Sequence, residues 1–178
     1  MKDITNYLEL KHIEMMLAAA KACSTRDYRI LKTLWRTGIR ASELLHIRLQ
    51  DIEPPNNVIN ILKAKGDKTR RVYLDPSTLQ ALIEYAQHHN RPADQPVFQL
   101  TRQQVYNIVR RYGRMIGKEI HPHTLRHSFA INWVRQNQDL RRLQLLLGHS
   151  SLAVTQEYLQ FRDADIMDAY DSVDFGSM

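Results

Sequence analysis

Four short segments carry side chains suited to acid, base or nucleophilic work. The densest is KEIHPHTLRHSFA, from Lys118 to Ala130, which holds His121, His123, Arg126 and His127. On a helix His123 and His127 share a face at a spacing that zinc sites use. No glutamate follows the first of them and no third ligand stands at a familiar spacing, so no metal is expected there. His123 and Arg126, one turn apart, also share a face. That pair suits an anion, because a guanidinium offers a phosphate a planar fork of donors and an imidazole can donate or shuttle a proton. A capping histidine beside a surface arginine would have the same spacing.

The other three segments are sparser. RTGIRASELLHIRLQDI sets Arg40 one turn before Glu43, so the carboxylate can hold the guanidinium, as any surface ion pair would. LKAKGDKTRRVYL puts Lys65 on a turn, where it reaches into a groove or is solvated. LLGHSSLAVTQEYLQF places His149 just past Gly148 and Tyr158 farther on; a capping histidine and a core tyrosine also fit.

Elements must bring these segments together. Apolar residues at 10, 13, 16 and 17 have helical spacing. Thr25 and Asp27 can start a second helix that ends at Gly38, and a short helix follows around Ser42–His46. Val58, Ile59, Ile61 and Leu62, then Val72, Tyr73 and Leu74, are β-formers around the turn-like KGDK, which reads as a hairpin. A first strand is expected near His46–Ile52, with Pro54 and Pro55 breaking any helix after it. Asp75-Pro76 caps a helix running to about His89. Thr101 caps RQQVYNIVRRYGRMIG, and helices are expected over 123–136 and 140–147, the latter closed by Gly148. Ser150 or Ser151 would cap a last helix carrying Tyr158. The fold class is α+β, mainly α, with one small antiparallel sheet.

Composition narrows the partners. The chain has 178 residues, enough for one domain. One cysteine, Cys23, excludes an internal disulfide framework. No apolar run approaches a membrane span and the N-terminus lacks a signal-peptide core, so a cytoplasmic protein is expected. The tail from Arg162 carries one arginine and five aspartates, a net of −4 against +6 for the whole chain, so residues 1–161 carry +10. A basic body points to a polyanion, with nucleic acid foremost.

In their chain order the four segments resemble the boxes of the catalytic domain of the phage-integrase-type, Xer-like tyrosine recombinases, over roughly Leu10 to Phe161. TGIRASELLHIRLQDI is similar to the first box, with Arg40 as its arginine and Glu43 as its supporting acid. KAKGDKTRRVYL is similar to the hairpin box, with Lys65 as the catalytic lysine. HPHTLRHSFA is similar to the H-x-x-R box, giving His123 and Arg126, and LLGHSSLAVTQEYLQF to the last, giving His149 and the nucleophile Tyr158. The resemblance implies that family's helical catalytic domain with a three-stranded antiparallel sheet, over residues 1–161. The acidic segment 162–178 would be a tail or a docking helix of the same domain. No N-terminal core-binding domain is expected in this chain.

The activity implied is site-specific DNA recombination or integration, as on mobile elements, through a 3′-phosphotyrosyl link, with no metal, cofactor or ATP. Double-stranded DNA is the implied partner, with self-association into a synaptic tetramer on DNA and a monomer possible in isolation. Lys63, Lys68, Arg70, Arg102 and Gln103 would hold the duplex. A catalytically silent DNA-binding module and a type IB topoisomerase-like enzyme are the alternatives.

Overall fold

A computed structural model of the chain describes residues 6–62, 70–136, 138–149 and 151–161. Helix α1 (Leu10–Cys23) buries Ile13, Met16 and Ala20, while Leu10 at its start is exposed. Helix α2 (Thr25–Thr37) is capped one residue earlier than expected. The Ser24 hydroxyl accepts from the Asp27 amide at 3.2 Å, and Gly38 closes the helix in the left-handed region at φ 63°. Helix α3 is shorter than expected, Ala41–Leu44. Helix α4 (Pro76–His88) starts on the Asp75 carboxylate, which accepts from the Thr78 amide at 3.0 Å. Helix α5 (Arg102–Met115) starts on a reciprocal pair: Thr101 Oγ1 accepts from the Gln104 amide, and Gln104 Oε1 accepts from the Thr101 amide.

The sheet lies between α3 and α4 in the chain. Strands β1 (Ile52–Glu53), β2 (Val58–Ile61) and β3 (Arg70–Tyr73) pair antiparallel in that order, with Ile59 opposite both Ile52 and Val72. The first strand is therefore later and shorter than the expected His46–Ile52. The reason is local: Asp51 accepts from both the amide and the guanidinium of Arg48, which closes Leu49–Asp51 into a 3-10 turn. Pro54–Asn56 forms a second 3-10 turn. The KGDK turn lies outside the described residues.

Helices α6 (Pro122–Arg135), α7 (Leu140–Leu147) and α8 (Ala153–Gln156) follow. Gly148 ends α7 at φ 66°. Helix α8 ends before Tyr158, so the tyrosine follows this helix instead of riding within it. The expected amphipathic tail lies outside the described residues. Among those residues, no helix is long and apolar enough to cross a membrane.

The chain divides into two compact units between Phe129 and Ala130, inside α6. In the first, α1 packs on α2 and α5, and α2 also packs on α4. Its core includes Ile30, Leu31 and Leu34 of α2 and Val105 and Val109 of α5. Asp27, buried in α2, accepts from the Tyr112 hydroxyl of α5 at 3.2 Å. Burial and the Asp27 charge together raise the Tyr112 pKa. The second unit buries Ile131, Val134, Leu143 and Leu147.

Gly113 is where α5 has least room. A Cβ there would lie 2.3 Å from Ile120 Cγ1 and 2.8 Å from the Lys118 carbonyl oxygen. Lys118 donates its amide to the Gly113 carbonyl at 2.9 Å, so this backbone cannot simply retreat. Gly113→Ala is expected to lower stability by about 1–3 kcal/mol in urea unfolding, overpacking outweighing the helix propensity gained. A variant as stable as the parent would contradict this packing.

Candidate active site

The Glu43 carboxylate gathers the first cluster. Its Oε2 accepts from the Arg40 backbone amide at 2.7 Å, and its Oε1 accepts from Arg40 Nη1 at 3.1 Å. Arg70 of β3 reaches the same carboxylate with both terminal nitrogens, at 2.7 and 2.8 Å. The Glu43 and Arg70 side chains are 12% and 10% exposed, whereas Arg40 is 40% exposed. Burial pushes the Glu43 carboxyl up, but the hydrogen bonds and charge of Arg70, then those of Arg40, outweigh it and leave the pKa at about 2. Arg70 was expected to hold DNA. Its guanidinium is engaged by Glu43, and Arg40 is the more exposed cation of the cluster.

The second anchor is Arg126. It is buried on α6, and its Nη1 donates to the Gly38 carbonyl at 2.7 Å. The left-handed glycine that ends α2, two residues before Arg40, thus accepts from the Arg126 guanidinium. His123, a turn earlier on α6, is exposed. The turn before α6 is tied by the His121 amide donating to Thr124 Oγ1 at 3.3 Å.

Arg40, His123 and Arg126 line one small cavity of about 120 Å³, together with Arg102 and Tyr106 of α5. Small-molecule sites begin at roughly 300 Å³. This cavity is sized for a group no larger than a phosphate, and it is walled by three guanidinium groups and an imidazole. Such fixed donors favour a transition state in which charge builds on phosphoryl oxygens.

In the second unit His149 follows Gly148. Its amide donates to the Gln144 carbonyl at 3.1 Å, and its own carbonyl accepts from Gln144 Nε2 at 3.2 Å. Its ring Nδ1 lies 3.0 Å from Thr155 Oγ1. The Thr155 carbonyl accepts from the Tyr158 amide at 3.1 Å. Thr155 is fully buried and Tyr158 is 3% exposed. One threonine therefore contacts both the histidine ring and the tyrosine backbone.

Lys63, Lys65 and Lys68 lie outside the described residues. Gln103 is exposed on α5, where its Nε2 donates to Asn107 Oδ1 at 3.0 Å. The sequence reading missed Tyr106, Thr155 and the rest of the α5 face. Arg102, Tyr106, Arg110 and Arg114 recur every four residues on that face, a periodicity that was there to be read. The Arg110 guanidinium sits 6.0 Å from the Tyr106 ring centroid, and the Tyr106 ring stacks on His121 at 6.3 Å. Among the described residues, no three histidine, cysteine, aspartate or glutamate side chains converge as a metal site would need.

The sequence model of the phage integrase family matches residues 6–165. A tyrosine recombinase of Pseudothermotoga lettingae is 35% identical over 174 residues, covering 94% of this chain and 60% of its own. The crystal structure of XerA recombinase superposes with a TM-score of 0.81 at 30% identity, over 93% of this chain and 64% of that one. A XerH site-specific recombinase bound to palindromic difH substrate, in a post-cleavage complex, gives 0.83 at 26% identity, over 96% and 54%. The chain thus spans only about half to three-fifths of the length of the curated relatives it matches.

Glu43 makes the first cluster sensitive to acid. Its folded pKa lies below the ordinary 4.5, so its contribution is complete above that pH and is lost as pH falls through about 2. Asp75, also held at about 2, shares that window. Glu43→Gln is expected to cost about 2–3 kcal/mol at neutral pH and to shrink, without abolishing, the stability lost between pH 4.5 and 2. Unfolding curves across that range check it, and an unchanged acid limb in the variant would contradict the assignment.

Proposed function

The chain belongs to the phage integrase family, and from that premise we propose that it is the catalytic domain of a site-specific tyrosine recombinase acting on double-stranded DNA. The observation that carries the reading is the phosphate-sized cavity shared by Arg40, His123 and Arg126, which come from separate segments of the chain. In the proposed reaction the Tyr158 phenol attacks a DNA phosphorus. An O–P bond forms as the bond to the 5′-oxygen breaks, leaving a 3′-phosphotyrosyl link and a free 5′-hydroxyl.

Each residue has a distinct task. A phenol with a pKa near 10 needs help to lose its proton at neutral pH, and His123 takes it. Arg40, Arg126 and His149 stabilise the non-bridging oxygens, where charge accumulates. Lys65 protonates the departing 5′-oxygen. Glu43 holds Arg40 in place. Because the protein–DNA link conserves the bond energy, a second 5′-hydroxyl can reverse the step without ATP.

The basic face of α5 suits the duplex. Arg102, Gln103, Asn107, Arg110 and Arg114 stand on its exposed side, where phosphate contacts would set register and amide groups could read bases. Lys63 and Lys68 would add phosphate contacts from the hairpin, and self-association on DNA would pair two sites. The catalytic domain would run over residues 1–161, followed by an acidic tail.

The test is a duplex selected for binding to this protein and nicked beside the cleaved bond, so that the short 5′ fragment diffuses away. A covalent protein–DNA adduct should survive denaturant and vanish in Tyr158→Phe. An adduct that persists in that variant would refute the nucleophile. Tight duplex binding with no adduct would point instead to a catalytically silent DNA-binding module.

A further inference from the structure

A second, larger cavity, of about 920 Å³, shares no lining residue with the phosphate-sized one. It lies between the start of α2 and the end of α4, and Arg26, Arg29, Tyr85, His88, His89 and Arg91 are among its walls. Its volume falls in the range of roughly 300–1,000 Å³ that holds drug-sized ligands.

Two of its arginines each bury one unsatisfied nitrogen. Among the described residues, Arg29 Nε and Arg91 Nε are buried with no hydrogen-bond acceptor. An unmade bond to a buried charged donor is costly, and an anionic ligand would supply the missing acceptor. Arg26 adds a third cation at the rim, 45% exposed and paired with Asp27 at 3.0 Å. The one carboxylate on the wall, Glu84, already accepts from Gln80 Nε2 at 3.1 Å.

Planar groups line the same cavity. The Arg29 guanidinium sits 5.6 Å from the Tyr85 ring centroid. The His89 ring lies 4.1 Å from that of Tyr85, and His88 meets His89 edge to face at 5.2 Å. His89 Nδ1 lies 2.8 Å from the Tyr85 carbonyl. A carbonyl only accepts, so this nitrogen carries the proton and Nε2 is left for another partner. Both histidines are exposed, and imidazole and guanidinium faces are surfaces on which nucleobases stack.

We propose that this cavity is a binding site for a free nucleoside phosphate, with its phosphates on Arg29 and Arg91 and its base against the two histidines. The site is independent of the DNA-cleavage reading and does not need it. All of its lining residues belong to the first unit.

Calorimetric titration of the whole chain with ATP, pyrophosphate and adenosine as separate probes tests it. Saturable ATP binding is expected, tighter than that of pyrophosphate or adenosine. Arg91→Gln and His89→Ala should each weaken it about tenfold, the effect of one charge-assisted contact or one stacked base. His89 is exposed, so its variant keeps the test valid if Arg91→Gln folds poorly. Arg40→Ala, in the other cavity, should leave ATP affinity unchanged. The proposal fails if ATP does not saturate below about 5 mM, if pyrophosphate binds as tightly as ATP, if both cavity variants bind normally, or if Arg40→Ala abolishes binding.

Discussion

The Glu43 carboxylate accepts hydrogen bonds from an amide and a guanidinium of Arg40 and from both terminal nitrogens of Arg70. This joins the start of α3 to the sheet across 27 residues of chain. Two guanidinium groups so close would repel each other without the acid between them. With it, Arg70 is absorbed into the fold and Arg40 is held at the mouth of the phosphate-sized cavity. A carboxylate with a pKa near 2 stays charged at every pH at which a recombinase would work.

Arg126 is held by a different device. One of its acceptors is the backbone carbonyl of Gly38, which ends α2 in a conformation that side-chain-bearing residues rarely adopt. A neutral acceptor steadies the guanidinium without cancelling its charge. One arginine is therefore positioned by an acid shared with a second arginine, and the other by a helix terminus. Guanidinium groups fixed in this way suit a phosphodiester, to which each offers a planar fork of donors.

Much of this was legible in the residues. Gly38 and Gly148 announced the helix ends they make, and Thr101 and Asp75 the helix starts. The Arg40–Glu43 spacing announced their contact. Three things were not legible. The first strand was placed too early, because the local Arg48–Asp51 pair folds Leu49–Asp51 into a 3-10 turn, which alternation of apolar residues does not report. The Glu43–Arg70 pairing was not foreseen, because a contact across 27 residues leaves no local signal. Thr155 drew no notice, since a buried threonine that meets a histidine ring looks, in sequence, like any helix residue.

In the proposed reaction, charge at the non-bridging phosphate oxygens is what the arginines must offset. The direct measurement is the cleavage rate of a duplex whose scissile phosphate carries a methyl group in place of one such oxygen. Arg40→Ala should be impaired on the ordinary phosphodiester and regain most of its lost rate, relative to the parent chain, on the methylphosphonate. An Arg40→Ala variant equally impaired on both substrates would contradict the claim that this guanidinium, held by Glu43, works by neutralising phosphate charge.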